Sequence, residues 1–312
     1  MDSDPKFAPG SADGRRMGKW IGCLLLPLCL CRTGSADDSI ATIRAAVQEV
    51  QLTVVATDRS GRPVSNLSPG ELSVSEDGRP VQHFDLRSAS DLPLRVGVVL
   101  DLSQSMEKSW PAVRSALIDS LQQILRPEDQ VVVLGFDNKI ELERVLTPSQ
   151  KLDLAQIPKG GGLTALYDTL YVACRNGIFA ELRQPRRSAL IVFSDGEDNL
   201  SRHGLDDAIE SAQSAGIAVY SVSTHSPRRR SQGDPVLREL ARATGGRNFV
   251  TANSAEVRTA MMTINDELRT SYLLYFRSSG ATGRHTFRHV DLAPTHNDGT
   301  SFRSRAGYYA VP

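Results

Sequence analysis

The chain is 312 residues long, with 36 Lys plus Arg balanced by 36 Asp plus Glu for a formal net charge of +0 at pH 7. That length holds one large domain and one small one, with core enough for an α/β sheet. An even charge, spread along the chain, excludes nucleic acid and general membrane-surface binding, which need a basic excess.

Residues 1–36 read as a signal peptide, with Met17 as an alternative start. Arg15, Arg16 and Lys19 precede the apolar stretch Trp20 to Cys31. This stretch is too short to cross a bilayer, which takes about 20 helical residues, and has the length of a signal core. Pro27 interrupts it, no amphipathic period is visible, and Gly34-Ser35-Ala36 offers small residues for cleavage. Cys29 and Cys31 each follow Leu, which disfavours a lipid anchor. The expectation is export to the periplasm or cell exterior, with no transmembrane anchor after removal of the signal. Of the four cysteines only Cys174 then remains, on a helix face shared with Leu166, Leu170 and Ala173, where it reads as a small core residue.

From residue 45 to 90 the pattern is one of short strands broken by turns. Val50, Leu52 and Val54 alternate with polar residues up to Asp58-Arg59-Ser60-Gly61, and Leu72 and Val74 precede the hairpin signal Asp77-Gly78. Residues 94–270 change to alternating strands and helices. The run Val96 to Leu100 is continuously apolar, as in a strand buried on both faces of a parallel sheet, and delivers Asp101, Ser103 and Ser105 at its end. Trp110, Val113, Leu117, Leu121 and Ile124 follow at helical spacing, and Gln130 to Phe136 reads as a strand. Gly160-Gly161-Gly162-Leu163-Thr164 is a loop ending in a hydroxyl where a helix begins. Ser188 to Phe193 is a second buried strand, ending in Asp195-Gly196, and Ile217 to Val222 is another. Val257, Met261, Ile264 and Leu268 form a helical stripe behind an Asn253/Glu256 capping box. In residues 271–312 strands return at Tyr272 to Phe276, Thr286 to Leu292 and Gly307 to Ala310. Neither flank buries much alone, so the two are expected to pack as one small β-sandwich into which the central domain is inserted.

Oxygen-bearing side chains at strand ends suit a hard cation, because ligands of open α/β sheets bind beyond the carboxyl ends of the strands. Each piece also has a plainer reading: Asp, Ser and Thr at such junctions serve as helix caps, and Thr164 before Ala165-Leu166-Tyr167-Asp168 fits that use. Asp168, one turn into the helix, suits either a bond to a ligand residue or the helix dipole. Glu197 and Asp198 read as solvating their loop. Arg228, Arg229 and Arg230 read as a solvated loop that also places a basic rim on the metal-bearing face.

Together the D-x-S-x-S run, the glycine-preceded Thr164 and the strand-end Asp195-Gly196 resemble the metal-ion-dependent adhesion site of von Willebrand factor type A domains. GGGLTALYDTLYVACRNG and LIVFSDGEDN, with VVATDRSGRPVSNLSPGELSVSEDGRPVQHF before and ELRTSYLLYF and RAGYYA after, resemble more narrowly the VWFA-related proteins found mainly in Acidobacteria. The resemblance implies a Rossmann-like, doubly wound α/β fold whose strand order reverses between the strands ending in Asp101 and Asp195. It also implies Mg²⁺ or Mn²⁺ held by Asp101, Ser103, Ser105, Thr164 and Asp195, with one position open to an Asp or Glu carboxylate from a protein or envelope ligand. Oligomeric state is left open. An enzyme, a metal-dependent hydrolase among them, is disfavoured: Ser103 stands where a phosphotransferase would place a second carboxylate, none of the six His sits in the setting of a nucleophile elbow, and no Walker or zinc spacing occurs. A structural envelope protein with a vestigial site is the other reading.

Overall fold

The structure, a computed structural model, describes residues 49–146, 161–175, 187–224, 232–278 and 286–310. The proposed signal segment and Arg228, Arg229 and Arg230 lie outside the described residues. Residues 45–312 form one unit by their internal contacts.

The chain enters through β1 (Glu49–Thr57), β2 (Leu72–Glu76), β3 (Arg79–Pro80) and β4 (Phe84–Ser88). The central part runs β5 (Leu94–Asp101), α1 (Trp110–Ile124), β6 (Gln130–Phe136), β7 (Ile140–Leu146), α2 (Leu166–Arg175), β8 (Arg187–Phe193), α3 (Leu205–Ser214), β9 (Ala218–Thr224), α4 (Asp234–Thr244), β10 (Asn248–Thr251) and α5 (Ser254–Arg269). It leaves through β11 (Tyr272–Arg277), β12 (Phe287–Pro294), β13 (Ser301–Arg303) and β14 (Gly307–Tyr309).

The central sheet has the order β10-β9-β8-β5-β6-β7, parallel except for the antiparallel edge strand β7. β5 is buried at every position because it has a parallel neighbour on each side and helices over both faces. Its side chains alternate between two cores. Val96, Val98 and Leu100 join Val113, Leu117 and Leu121 of α1 and Val257, Met261 and Ile264 of α5. Val99 joins Leu166 and Leu170 of α2, Ala208 and Ala212 of α3, and Leu237 and Leu240 of α4. Truncating a fully buried residue such as Leu117 or Leu170 to Ala costs about 2–5 kcal/mol in such a core. The chain passes from β5 outward to β6 and β7, then returns through α2 to β8 on the other flank of β5, so the winding reverses between β5 and β8. A crevice opens there beyond the strand ends.

α5 begins at its expected cap with one change. Asn253 Oδ1 accepts the Glu256 N–H at 3.0 Å, but the Glu256 carboxylate reaches one residue further back, to the Ala252 N–H at 2.7 Å. The flanking strands form two sheets, β13-β1-β11-β4 and β14-β12-β2-β3. Val50, Leu52 and Val54 from the first and Leu72, Val74 and Val290 from the second share one core with Leu274, Phe276 and Tyr308. The hairpin β2–β3 closes on Asp77 (φ 47°) and Gly78 (φ 75°), the left-handed pair that a two-residue type I′ turn requires.

Candidate metal centre

Asp101 ends β5 wholly out of contact with solvent. Its Oδ1 accepts the Ser103 N–H at 2.9 Å, a local turn that swings the chain out of the sheet. A 3-10 turn over Gln104–Met106 follows, anchored by buried Met106, and it brings the Ser103 and Ser105 hydroxyls within 3.0 Å of each other. Ser103 is buried and Ser105 exposed, so the pair runs from the sheet edge to the surface.

β8 supplies the other wall. Ser194 donates its hydroxyl to Asp101 Oδ2 at 2.6 Å and accepts the Gly196 N–H at 3.0 Å, which ties the two strand ends together. Sequence reasoning did not single out Ser194; its place one residue before a strand-end Asp was the available signal. Burial pushes the Asp101 carboxyl up to about 6, against the lowering by Ser103 and Ser194, and the Asp195 carboxylate raises it further. The Asp195 carboxylate therefore lies near enough to Asp101 for the two charges to repel. Asp195 is half-buried and accepts the Glu197 N–H at 3.2 Å. Gly196 has φ 80°, and a Cβ on it would stand 2.5 Å from the Gly233 carbonyl oxygen. A Cβ on Gly233 would in turn stand 2.2 Å from the Asp195 carbonyl oxygen. Two glycines therefore let the loop before α4 lie directly on the backbone of Asp195.

Thr164 is buried and held between the ends of β6 and β8. Its N–H donates to Asn199 Oδ1 at 2.8 Å, its carbonyl accepts the Asn199 and Leu200 N–H groups at 3.1 Å, and the next N–H, of Ala165, donates to the Asp137 carbonyl at 2.9 Å. Asn199 is a second residue that the sequence did not single out. Gly162 lies against the Asn138 side chain, 2.4 Å from where a Cβ would stand, so the glycine run allows the loop to pack on the β6–β7 turn.

The plainer reading of Thr164 as the cap of α2 does not describe the contacts. The Tyr167 N–H donates to Asp198 Oδ2 at 3.0 Å and the Asp168 N–H to Ser201 Oγ at 3.0 Å, so both caps come from the loop after β8. Asp198, read as solvating its loop, is thus a cap that also accepts the Ser201 hydroxyl at 2.6 Å. Glu197 is exposed. Asp168 does not bond to the strand ends: it accepts the N–H groups of Arg202 and His203 and meets His203 Nδ1 at 2.7 Å, while the His203 ring stacks on Tyr171 at 3.8 Å. Burial raises the Asp168 carboxyl, but these His203 and Arg202 bonds outweigh it and hold it below its ordinary range.

The donors gathered here are all oxygens. Among the described residues no three His, Cys, Asp or Glu side chains come together, and burial pushes the Cys174 thiol up to about 12, where it is neither nucleophile nor soft ligand. The doubly wound sheet, with acidic and hydroxyl side chains at its reversal point, defines a class of α/β domain that presents oxygen donors at its strand ends. The von Willebrand factor type A domain family matches residues 96–264, and the chain belongs to that family. Among solved structures it is similar to an aerotolerance-related membrane protein from Bacteroides fragilis, at 20% identity over 56% of this chain and 98% of that one, with a TM-score of 0.41. It is also similar to proximal thread matrix protein 1 from the mussel byssus, described with a zinc-occupied MIDAS motif, at 14% identity over 63% of this chain and 50% of that one, with a TM-score of 0.47. A second crystal form of the mussel protein matches at 15% identity over 61% and 49% of the two chains, with a TM-score of 0.45. This chain thus spans about half the length of the mussel protein. No curated protein matches it.

Proposed function

We propose that the protein is an exported, non-enzymatic binding module that captures an acidic protein or envelope ligand through a divalent cation held by Asp101, Ser103, Ser105, Thr164 and Asp195. The observation that carries the reading is Asp101. It is a fully buried carboxylate whose hydrogen bonds come from the uncharged Ser103 and Ser194, set beside a pair of hydroxyls 3.0 Å apart. A buried charge of this kind calls for a counter-ion.

An all-oxygen set of two carboxylates and three hydroxyls fits Mg²⁺ or Mn²⁺, which take octahedral oxygen coordination and retain water. When bound, the ion supplies Lewis acidity for one further oxygen ligand. Neutral Ser and Thr hydroxyls give up less charge than carboxylates would, which favours an added Asp or Glu from the partner. Ser194 holds the Asp101 carboxylate in one orientation, and Asn199 holds the Thr164 backbone. Residues 45–90 and 271–312 serve in this reading as a β-sandwich that carries residues 94–270, and Arg228, Arg229 and Arg230 as a basic rim that steers acidic partners. Residues 1–36 serve as the export signal.

Calorimetry of the chelator-stripped protein with Mg²⁺, Mn²⁺ and, as a soft competitor, Zn²⁺ tests the proposal. One binding event with Mg²⁺ or Mn²⁺, and none in Asp101→Ala, is the expected result. Thr164→Ala should lose the event while melting near the parent temperature, since it caps no helix. Unchanged binding in Asp101→Ala, or no event in the parent, rejects the site. Capture of a partner from envelope extract, abolished by chelator, identifies the ligand.

A further inference from the structure

The geometry points to a second ligand site, for a small tetrahedral oxyanion of the phosphate or sulfate class, in the cavity between the β-sandwich and the strand-start edge of the central sheet. This cavity, of about 270 Å³, lies at the opposite end of the strands from Asp101. Its walls include Gln51 and Thr53 of β1, Ser188 of β8, Ser271, and the arginines Arg187 and Arg305. Among the described residues that line it there is no Asp or Glu.

Arg187 opens β8 and is 3% exposed. It donates through Nη1 to the Leu268 carbonyl and, at 3.3 Å, to Ser271 Oγ, and through Nη2 to the Leu92 carbonyl at 2.8 Å. Arg305 donates through Nη1 to the Gln213 carbonyl and through Nη2 to the Gln51 carbonyl at 2.9 Å. All these acceptors are neutral. The Nε of each guanidinium is buried with no hydrogen-bond partner. Of the two carboxylates that attract Arg187, Asp129 and Asp91, the first is already paired with Arg269. Burial, and for Arg187 the Arg269 charge as well, draws both guanidiniums down to about 10.

Arg187, buried, and Arg305, half-buried, line one recess whose described walls hold no carboxylate, which leaves an excess of positive charge that is costly unless an anion accompanies it. A guanidinium edge matches a tetrahedral oxyanion, and the Thr53 and Ser188 hydroxyls supply further donors. At about 30 Å³ per water, the cavity has room for such an ion and several waters. The site is independent of the cation site and does not rest on it. Because its walls come from both β1 and β8, an anion there would bind the sandwich to the central domain.

The test is thermal denaturation and calorimetry of the full chain in EDTA, titrated separately with inorganic phosphate and with sulfate against chloride at equal ionic strength. A saturable rise in Tm with one-site stoichiometry is expected, and the tighter of the two arms names the anion. Arg305→Gln should weaken binding about tenfold or more, the loss of a charge-assisted bond, while Thr164→Ala leaves it intact. A rise that is linear in salt and equal in parent and Arg305→Gln would be general salt exclusion and would overturn the proposal. So would loss of the saturable response in Thr164→Ala. If Arg305→Gln does not fold, the parent titration decides alone: saturation at one site supports the proposal and its absence rejects it.

Discussion

Ser194 is the residue on which the two strand ends depend, because a single hydroxyl donates to Asp101 and accepts from Gly196. Ser194→Ala leaves both partners buried and unsatisfied, at about 1–3 kcal/mol. It also frees the Asp101 carboxylate to rotate. Groups that orient a metal ligand typically govern affinity by about 10–100-fold. The expected outcome is a lower Tm in chelator and Mg²⁺ affinity reduced within that range, read by calorimetry; affinity equal to the parent would show that Asp101 needs no such support. The same locality explains what the sequence disclosed. Asp101 and Asp195 stand at the ends of apolar runs, a position set by the hydrophobic pattern. Ser194 and Asn199 were not legible, since a bond between residues 93 or 35 positions apart leaves no local mark.

At the scale of elements, Asp129 joins four pieces of chain. Its Oδ1 accepts the Leu94 N–H at 2.8 Å where β5 begins, and its Oδ2 accepts the Arg126 N–H at 2.7 Å after α1. It also pairs with Arg269 at the end of α5, whose Nη2 donates to the Ile124 carbonyl at 3.0 Å. Burial raises the Asp129 carboxyl, but the bonds from Arg269, Leu94 and Arg126 outweigh it and hold it below its ordinary value of 3.8. A carboxyl lowered by folding contributes stability above its unfolded value and loses it as the pH falls through the folded one. Asp129→Asn should therefore lower the melting temperature at neutral pH, by about 3–5 kcal/mol of stability, and flatten the acid limb of the stability curve below pH 3.8. An acid limb as steep as the parent's would assign that limb to other carboxylates. The long helices and interior strands were legible here because their apolar periods are complete. The edge strands β10 and β13 were not, for they are short and take their form from the neighbour they pair with.

On the scale of the whole molecule, β1 lies between β11 and β13, and β2 between β12 and β3, so each outer sheet needs strands from both ends of the chain. Glu267 of α5 then links this sandwich to the central domain. It is fully buried and pairs with Arg247 at 3.1 Å and with Arg303 of β13. Glu267→Gln removes the countercharge of two arginines. Because both are partly exposed, the cost should fall toward the lower end of about 3–5 kcal/mol. Denaturant unfolding of Glu267→Gln, Arg303→Met and the double variant should show a double loss smaller than the sum of the singles. Strict additivity would mean that the pair does not couple the two parts.

What the sequence determined by itself was the alternation of buried strands and amphipathic helices and the oxygen donors at two strand ends, because both follow from side-chain period and from where an apolar run stops. Tertiary structure alone decided that Asp198 and Ser201, not Thr164, cap α2. It alone decided that Asp168 turns to His203, and that Gly196 and Gly233 meet backbone to backbone. It also brought Arg187 and Arg305 to one cavity, from positions far apart in the chain. Each of these is a contact between distant segments, and packing selects such a partner from many residues of equal local propensity.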